Sequence, residues 1–157
     1  MTVKFAKNKE DIERILQLRY KMLRLPWNQP IETATDNLEL KSVNAYIENE
    51  ALPTVAQGQA LRQAGKEIIA CGRLQENDGK IGQIRFMAVS DDYQGKGLGK
   101  LIVIALEKSA KELHLKTIEL QARDNAVDFY KNCGYTIKEK SFLMWDQIQH
   151  YLMEKML

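Results

Sequence analysis

Between Ile84 and Lys100 the chain reads IRFMAVSDDYQGKGLGK, a run whose glycine spacing suits a backbone that must approach a phosphate. An apolar segment with strand character enters Gln94-Gly95-Lys96-Gly97-Leu98-Gly99, and a helical pattern follows at once. The first turn of a helix carries N–H groups without internal partners, and the helix dipole adds partial positive charge there. An anion is held at such a terminus if the backbone can come close, and glycine removes the side chain that would block it. Lys96 and Lys100 add attraction. Three phosphate-binding patterns compete for this segment. A GxxxxGK[S/T] loop needs a hydroxyl after the lysine, but Lys100 is followed by Leu101. A dinucleotide fingerprint needs GxGxxG, and Gly95, Gly97 and Gly99 miss that spacing by one. The third, [Gln/Arg]-x-x-Gly-x-[Gly/Ala], is met by Gln94, Gly97 and Gly99.

A second segment lies downstream: Asn125-Ala126-x-x-Phe129-Tyr130-Lys131-x-x-Gly134-Tyr135. With the loop pattern, and with room between them for one helix and one strand, it resembles the GNAT N-acetyltransferase family. The resemblance is strong over 67–157 and weak over 1–66. It implies that Gln94, Gly95, Lys96, Gly97, Leu98, Gly99 and Lys100 hold the pyrophosphate of acetyl-coenzyme A through their backbone. Met87, Ala88 and Val89 would lend main-chain groups to the pantetheine arm, as an added strand does. Asn125 resembles the residue that contacts the coenzyme through its amide, and Tyr130 the tyrosine near the thioester sulfur. In that role a phenol donates a proton or hydrogen bond to the departing thiolate. The N–H of Val89 is a candidate for stabilising the developing oxyanion. An alkyl ammonium must lose a proton before it attacks; Glu119 and an ordered-water relay are the two candidates to accept it. The implied activity is direct acetyl transfer to a primary amine of a small molecule, peptide or protein. Transfer of a longer acyl group, and a non-catalytic coenzyme-binding module, are the alternatives. A homodimer is compatible with the resemblance. No metal is expected, since there is no HExxH and no clustered ligand set.

Several of these residues carry a second reading. Phe129 and Tyr130 together look like core aromatics on an amphipathic helix. Asn125 is also a helix-capping type. His150 is either structural or at a cleft, and Cys133 either a small packed residue or a thiol with chemistry. Trp27 and Trp145 fit a pocket wall or a core equally well.

These residues need a scaffold. Thr2–Ala6 reads as a first strand, and Asn8 caps a helix from Lys9 on which Ile12, Ile15, Leu16 and Leu18 keep helical spacing. Pro26 and Pro30 end that pattern, leaving Trp27–Leu38 as loop or short irregular helix. Strands are expected at Ser42–Ile47, Glu67–Leu74 and Lys80–Val89, the last two joined by a turn at Asn77-Asp78-Gly79. The stretch 48–66 is read as an insertion with a short helix. Lys100–Leu113 is a helix with a broad apolar face, Thr117–Gln121 a strand, and Ala126–Lys131 a short helix ended by Gly134. Tyr135–Lys138 and His150–Lys155 complete the strands. The pattern, with the resemblance, predicts one α/β domain over 1–157: a mixed antiparallel and parallel sheet of six or seven strands flanked by helices.

Composition agrees with a folded domain. The chain of 157 residues is 45% hydrophobic and 28% charged, ordinary values for a globular protein. The net charge of +2 argues against a nucleic-acid surface but leaves room for a local basic patch. Two cysteines far apart exclude a CxxC pair and favour a reducing compartment. Without an apolar leader or a long apolar run, a cytoplasmic protein without membrane contact is expected.

Overall fold

In the computed structural model, which describes residues 1–50 and 66–157, a seven-stranded sheet has the order β1-β2-β3-β4-β5-β7-β6. Its strands are β1 (Lys4–Phe5), β2 (Val43–Glu48), β3 (Ile68–Asn77), β4 (Ile81–Val89), β5 (Thr117–Arg123), β6 (Thr136–Met144) and β7 (Ile148–Met156). The helices are α1 (Lys9–Leu23), α2 (Leu98–Glu112) and α3 (Val127–Asn132). The expected mixed sheet is present. Neighbours are antiparallel except β4 and β5, which α2 links as a parallel crossover. The expected short helix within 48–66 falls outside the described residues, and Glu48 belongs to β2.

Local chemistry explains most boundaries. Asn8 Oδ1 accepts the Asp11 N–H at 2.9 Å, and Asp11 Oδ2 accepts the Lys7 N–H at 2.9 Å, so the start of α1 is satisfied from both sides. The proline-bearing segment after α1 forms one-turn helices at Leu25–Trp27, Ile31–Ala34 and Glu39–Lys41. Helix α2 starts two residues earlier than its apolar pattern, because Gly97 takes the left-handed conformation (φ 81°) and releases the chain into the helix at Leu98. The larger difference is at the C-terminus. β6 continues to Met144 and turns back through Trp145 and Asp146, both at positive φ (52° and 54°), into β7. Two consecutive residues at positive φ in a tight hairpin usually announce themselves by Asn-Gly or Asp-Gly. Trp-Asp gives no such signal, and β6 is an exposed edge strand without apolar alternation.

The two long helices cover opposite faces of the sheet. Ile102, Val103, Leu106 and Ala110 of α2 pack on one face with Ile69, Leu74, Ile118 and Leu120. Ile15 and Leu18 of α1 pack on the other with Tyr46, Ile68, Cys71 and Ala88. The α1 face also buries charge. Arg19 of α1 and Arg73 of β3 have no exposed surface. Arg19 donates a fork to Glu39 (2.8 and 3.0 Å) and bonds Asn44 Oδ1 (2.7 Å) and the Ala34 carbonyl (3.1 Å). Arg73 donates a fork to Asp36 (2.8 Å twice) and also reaches Glu39 at 3.2 Å. The network ties α1, the irregular segment and the sheet into one unit.

Between the pairs Cys71–Ala88 and Arg73–Arg85, β4 has one residue more than β3. This bulge puts Phe86 at φ 54°. Gly72 lies opposite, where an added Cβ would overlap the Met87 sulfur and sit 2.7 Å from Ile102 Cγ2. Gly72→Ala is expected to cost about 1–3 kcal/mol by overpacking, read from urea unfolding; an unchanged midpoint would mean that the bulge yields freely. Burial would raise the Glu39 carboxyl, but the Arg19 fork and charge, with Thr35 and Arg73, outweigh it and hold it below its ordinary 4.5. Its stabilising contribution is therefore complete above 4.5 and lost as pH falls through the lowered value. Glu39→Gln should cost about 3–5 kcal/mol at neutral pH and flatten the acid dependence of the urea midpoint.

Candidate active site

The parallel ladder runs from Ile81–Thr117 to Ile84–Leu120 and stops. Beyond it β4 and β5 part, and a cavity of about 310 Å³ opens between them. Ile84, Met87, Ala126 and Tyr130 line it from the side of the α2 core, and Leu23 and Arg24 from the end of α1. The cavity is therefore bordered by residues from both faces of the sheet. Along its wall the backbone of β4 has no strand partner on the β5 side. Ser90 N–H bonds the Ile69 carbonyl of β3 at 2.8 Å. Successive backbone groups of a strand alternate sides, so the N–H of Val89 points into the gap, and that of Met87 with it. The Val89 carbonyl also points that way and accepts from the Gln94 amide at 3.1 Å.

The glycine-rich loop follows β4 directly. Gly95 (φ 75°) and Gly97 (φ 81°) stand in the left-handed region with open space around them. The backbone N–H groups from Gly95 to Lys100 donate to no other described residue; the first to find a partner is Leu101, whose N–H reaches the Gly97 carbonyl at 3.2 Å. A row of orphan amides at the head of a helix is an anion cradle. Gln94 serves differently, since its side chain ties the loop to Val89 and Asp91. Gly99 is small for a packing reason: a Cβ there would meet the Phe129 ring at 3.1 Å. Lys96 lies over the Tyr93 ring at 5.0 Å, and Lys100 is exposed.

Tyr130 lines the cavity and is 7% exposed, packed edge-on against Phe129 and Tyr135. Its ring is part of the core, and the residue also borders the gap. Burial, and secondarily Cys133, push its phenol well above the usual value, so it keeps its proton at neutral pH. Asn125 is exposed in the turn before α3 and makes no cap; the N-cap of α3 is Ala126, with no side-chain cap bond. Glu119 is not brought to the cavity. It pairs with Lys138 at 3.4 Å and lies off the lining. His150 does line it, stacked on Phe142 at 4.4 Å. Its Nδ1 lies 3.0 Å from the Ile148 carbonyl, which can only accept; Nδ1 therefore carries the proton and Nε2 the lone pair of the neutral ring. Burial and the charges of Arg123 and Arg24 keep the ring neutral, against the Ile148 carbonyl and Asp124. Cys71 is buried with its thiol pushed up to about 11 by burial, and burial also raises Cys133, so neither is an activated thiol. Trp145 reaches the site through Arg24, whose guanidinium lies 5.2 Å from the indole.

The arginines lining the cavity were not singled out by sequence. Arg24, Arg85 and Arg123 all line it, and Phe86 has the guanidiniums of Arg19, Arg24, Arg73 and Arg85 within 5.8 Å of its ring centre. The one available signal was alternation on β5, which puts Gln121 and Arg123 on the same face. Nothing in the sequence joins them to Arg24. Among the described residues no His, Cys, Asp or Glu cluster could hold a metal, and no helix is long and apolar enough to cross a membrane.

Comparison with known proteins agrees with the loop and the gap. The family model of the acetyltransferase (GNAT) family matches residues 12–135. The chain is 28% identical over 144 residues to the uncharacterized N-acetyltransferase YjcF of Bacillus subtilis, covering 91% of each chain. Its fold matches that of an IAA acetyltransferase from Bacillus cereus with a TM-score of 0.73 at 16% identity, covering 99% of both chains. It also matches an aminoglycoside 6'-N-acetyltransferase complexed with coenzyme A, with a TM-score of 0.72 at 14% identity, covering 99% of this chain and 97% of that one. The phosphate-type loop, the parted strands and these likenesses converge on one conclusion: this chain belongs to the GNAT family of acetyltransferases.

Proposed function

We propose that the protein moves an acetyl group from acetyl-coenzyme A directly to a primary amine, with the pyrophosphate on the loop and the thioester in the gap between β4 and β5. The observation that carries this reading is the row of unpartnered amides from Gly95 to Lys100, which opens beside the same gap that Tyr130 lines. The open surroundings of Gly95 and Gly97 support close approach of a diphosphate. The N–H groups of Met87 and Val89 are free to bind the pantetheine arm as a strand edge binds a peptide. The exposed amide of Asn125 is available to the coenzyme.

In this reading the N–H of Val89 stabilises the oxyanion that forms when the amine nitrogen attacks the thioester carbonyl. The new C–N bond forms, the C–S bond breaks, and Tyr130 gives its proton to the departing thiolate. The amine proton goes to His150 Nε2, directly or through water, because Glu119 is engaged by Lys138 away from the cavity. Both side chains then exchange protons with solvent.

Calorimetry with acetyl-coenzyme A, followed by an amine screen read by free thiol, tests the activity. Tight binding without thiol release across broad amine panels would favour a coenzyme-binding module instead, and a series of acyl-coenzyme A donors reads the acyl length. Tyr130→Phe is expected to lower kcat by about 10²-fold or more with coenzyme affinity nearly intact; equal turnover would remove the acid role. The His150 imidazolium is held below its ordinary 6.5, so kcat/KM should show an acid limb centred below 6.5, added to the acceptor's own ionisation. Activity falls as pH drops through that limb because the base becomes protonated. His150→Gln should abolish the limb, and a profile of unchanged shape would assign the base elsewhere.

A further inference from the structure

Where the end of α1 borders the cavity, two guanidiniums have no carboxylate partner among the described residues. Arg24 NH1 and Arg123 NH2 both donate to the Leu23 carbonyl, at 2.9 and 3.2 Å. The remaining partners of Arg24 are Thr33 Oγ1 (2.9 Å) and the Thr33 carbonyl (3.0 Å), which are neutral. Among the described residues, neither arginine has an ion pair, whereas Arg19, Arg73 and Arg85 all do. Among the described residues, no aspartate or glutamate lines the cavity. Two like charges converging on one carbonyl, half removed from water, are costly until an anion joins them. Burial and then the charges of Arg123, Arg85 and Arg19 lower Arg24 to about 10, which registers that cost; it remains charged at neutral pH.

The surrounding structure holds the pair in place. The Arg24 guanidinium lies 5.2 Å from the Trp145 ring and 5.8 Å from the Phe86 ring. Both aromatic residues have positive φ, which is uncommon for bulky side chains. One stands in the bulge of β4 and the other in the three-residue turn between β6 and β7. Backbone outliers of this kind persist where the rest of the fold over-determines them, often at ligand clamps.

We propose that Arg24 and Arg123 form an anion clamp, so that the acceptor is a small amine carrying a carboxylate or a phosphate. This rests on the acetyltransferase reading of the same cavity. The anionic group sits in the fork of the two guanidiniums, which suits the planar, paired oxygens of carboxylate and phosphate. The amino group then extends along the cavity towards Tyr130 and the end of β4. A volume of about 310 Å³ favours a compact acceptor. Polyamines and other acceptors with several positive charges meet Arg24, Arg85 and Arg123 with nothing of opposite sign among the lining residues.

The test uses matched amines and a binding probe. Wild-type protein is assayed by thiol release on β-alanine against β-alaninamide, and on O-phosphoethanolamine against ethanolamine, with putrescine as the dication. Separately, inorganic phosphate is titrated in thermal melts of wild type, Arg24→Gln and Arg123→Gln. The anionic member of each pair should be favoured by about tenfold or more in kcat/KM, the scale of one charged hydrogen bond. Each variant should lose that preference mainly through KM while still binding acetyl-coenzyme A, and should gain less from phosphate in the melt than wild type. Equal or better transfer to the neutral or dicationic amines overturns the clamp and leaves the acetyltransferase reading standing. Failure to bind acetyl-coenzyme A overturns that reading, and the phosphate comparison then decides the clamp by itself. A phosphate shift identical in all three proteins counts against it. If a variant does not fold, the wild-type amine pairs decide between the clamp and its absence.

Discussion

The site depends on how short the parallel contact between β4 and β5 is. The ladder ends at Ile84 and Leu120, and on its β5 side everything that follows on β4 faces a gap instead of a strand. The Phe86 bulge reinforces the parting, since an extra residue bends and twists the strand that carries it. Had the two strands stayed paired to their ends, the N–H groups of Met87 and Val89 would be spent inside the sheet. Because they part, one wall of the cavity is main chain with hydrogen bonds still to make. The glycine loop and α2 begin where that wall ends, so the anion cradle and the strand edge are consecutive along the chain.

The opposite wall is set by charge. Arg19, Arg73, Asp36 and Glu39 form a buried network in which every carboxylate is committed to a guanidinium. It holds the irregular segment between α1 and β2 against the sheet, and so fixes Leu23 and Arg24 at the end of α1. Arg85 shares Asp36 with this network. Arg24 and Arg123 lie next to it without a share of its acids, and the two sets meet around Phe86. The same face thus separates neutralised charge, which holds the fold, from free positive charge, which is offered to a ligand.

Aromatic residues join the two walls. Tyr130 belongs to the α2-side core through Phe129 and Tyr135, yet lines the cavity. Its packing keeps its position rigid, and its burial keeps its proton. Gly99 contributes by letting α2 come close to Phe129, so the small residue at the end of the loop pattern serves the placement of α3. Loop and tyrosine are therefore linked by packing through Phe129.

The order of helices and strands, the α/β class and the glycine-rich loop leading into α2 were legible in the sequence because each rests on local physics. Apolar periodicity, the Asn8 cap and glycines at left-handed positions act within a few residues of one another. The hairpin at Trp145–Asp146 was not legible, because its positive φ values are imposed by strand pairing on residues that do not ordinarily choose them. Nor did the sequence say which carboxylate or histidine would face the cavity. Glu119 and Arg123 share a strand and an alternation, but Lys138 of β6 draws one aside while the end of α1 receives the other. Arg24 and Arg123 are brought to one carbonyl by the folding of α1 across the end of the sheet. The chain by itself determined its elements and the glycine-rich loop whose amides, among the described residues, stand free at the head of α2. Only the tertiary structure decided which charges meet, because their proximity comes from long-range packing and is written in no local pattern.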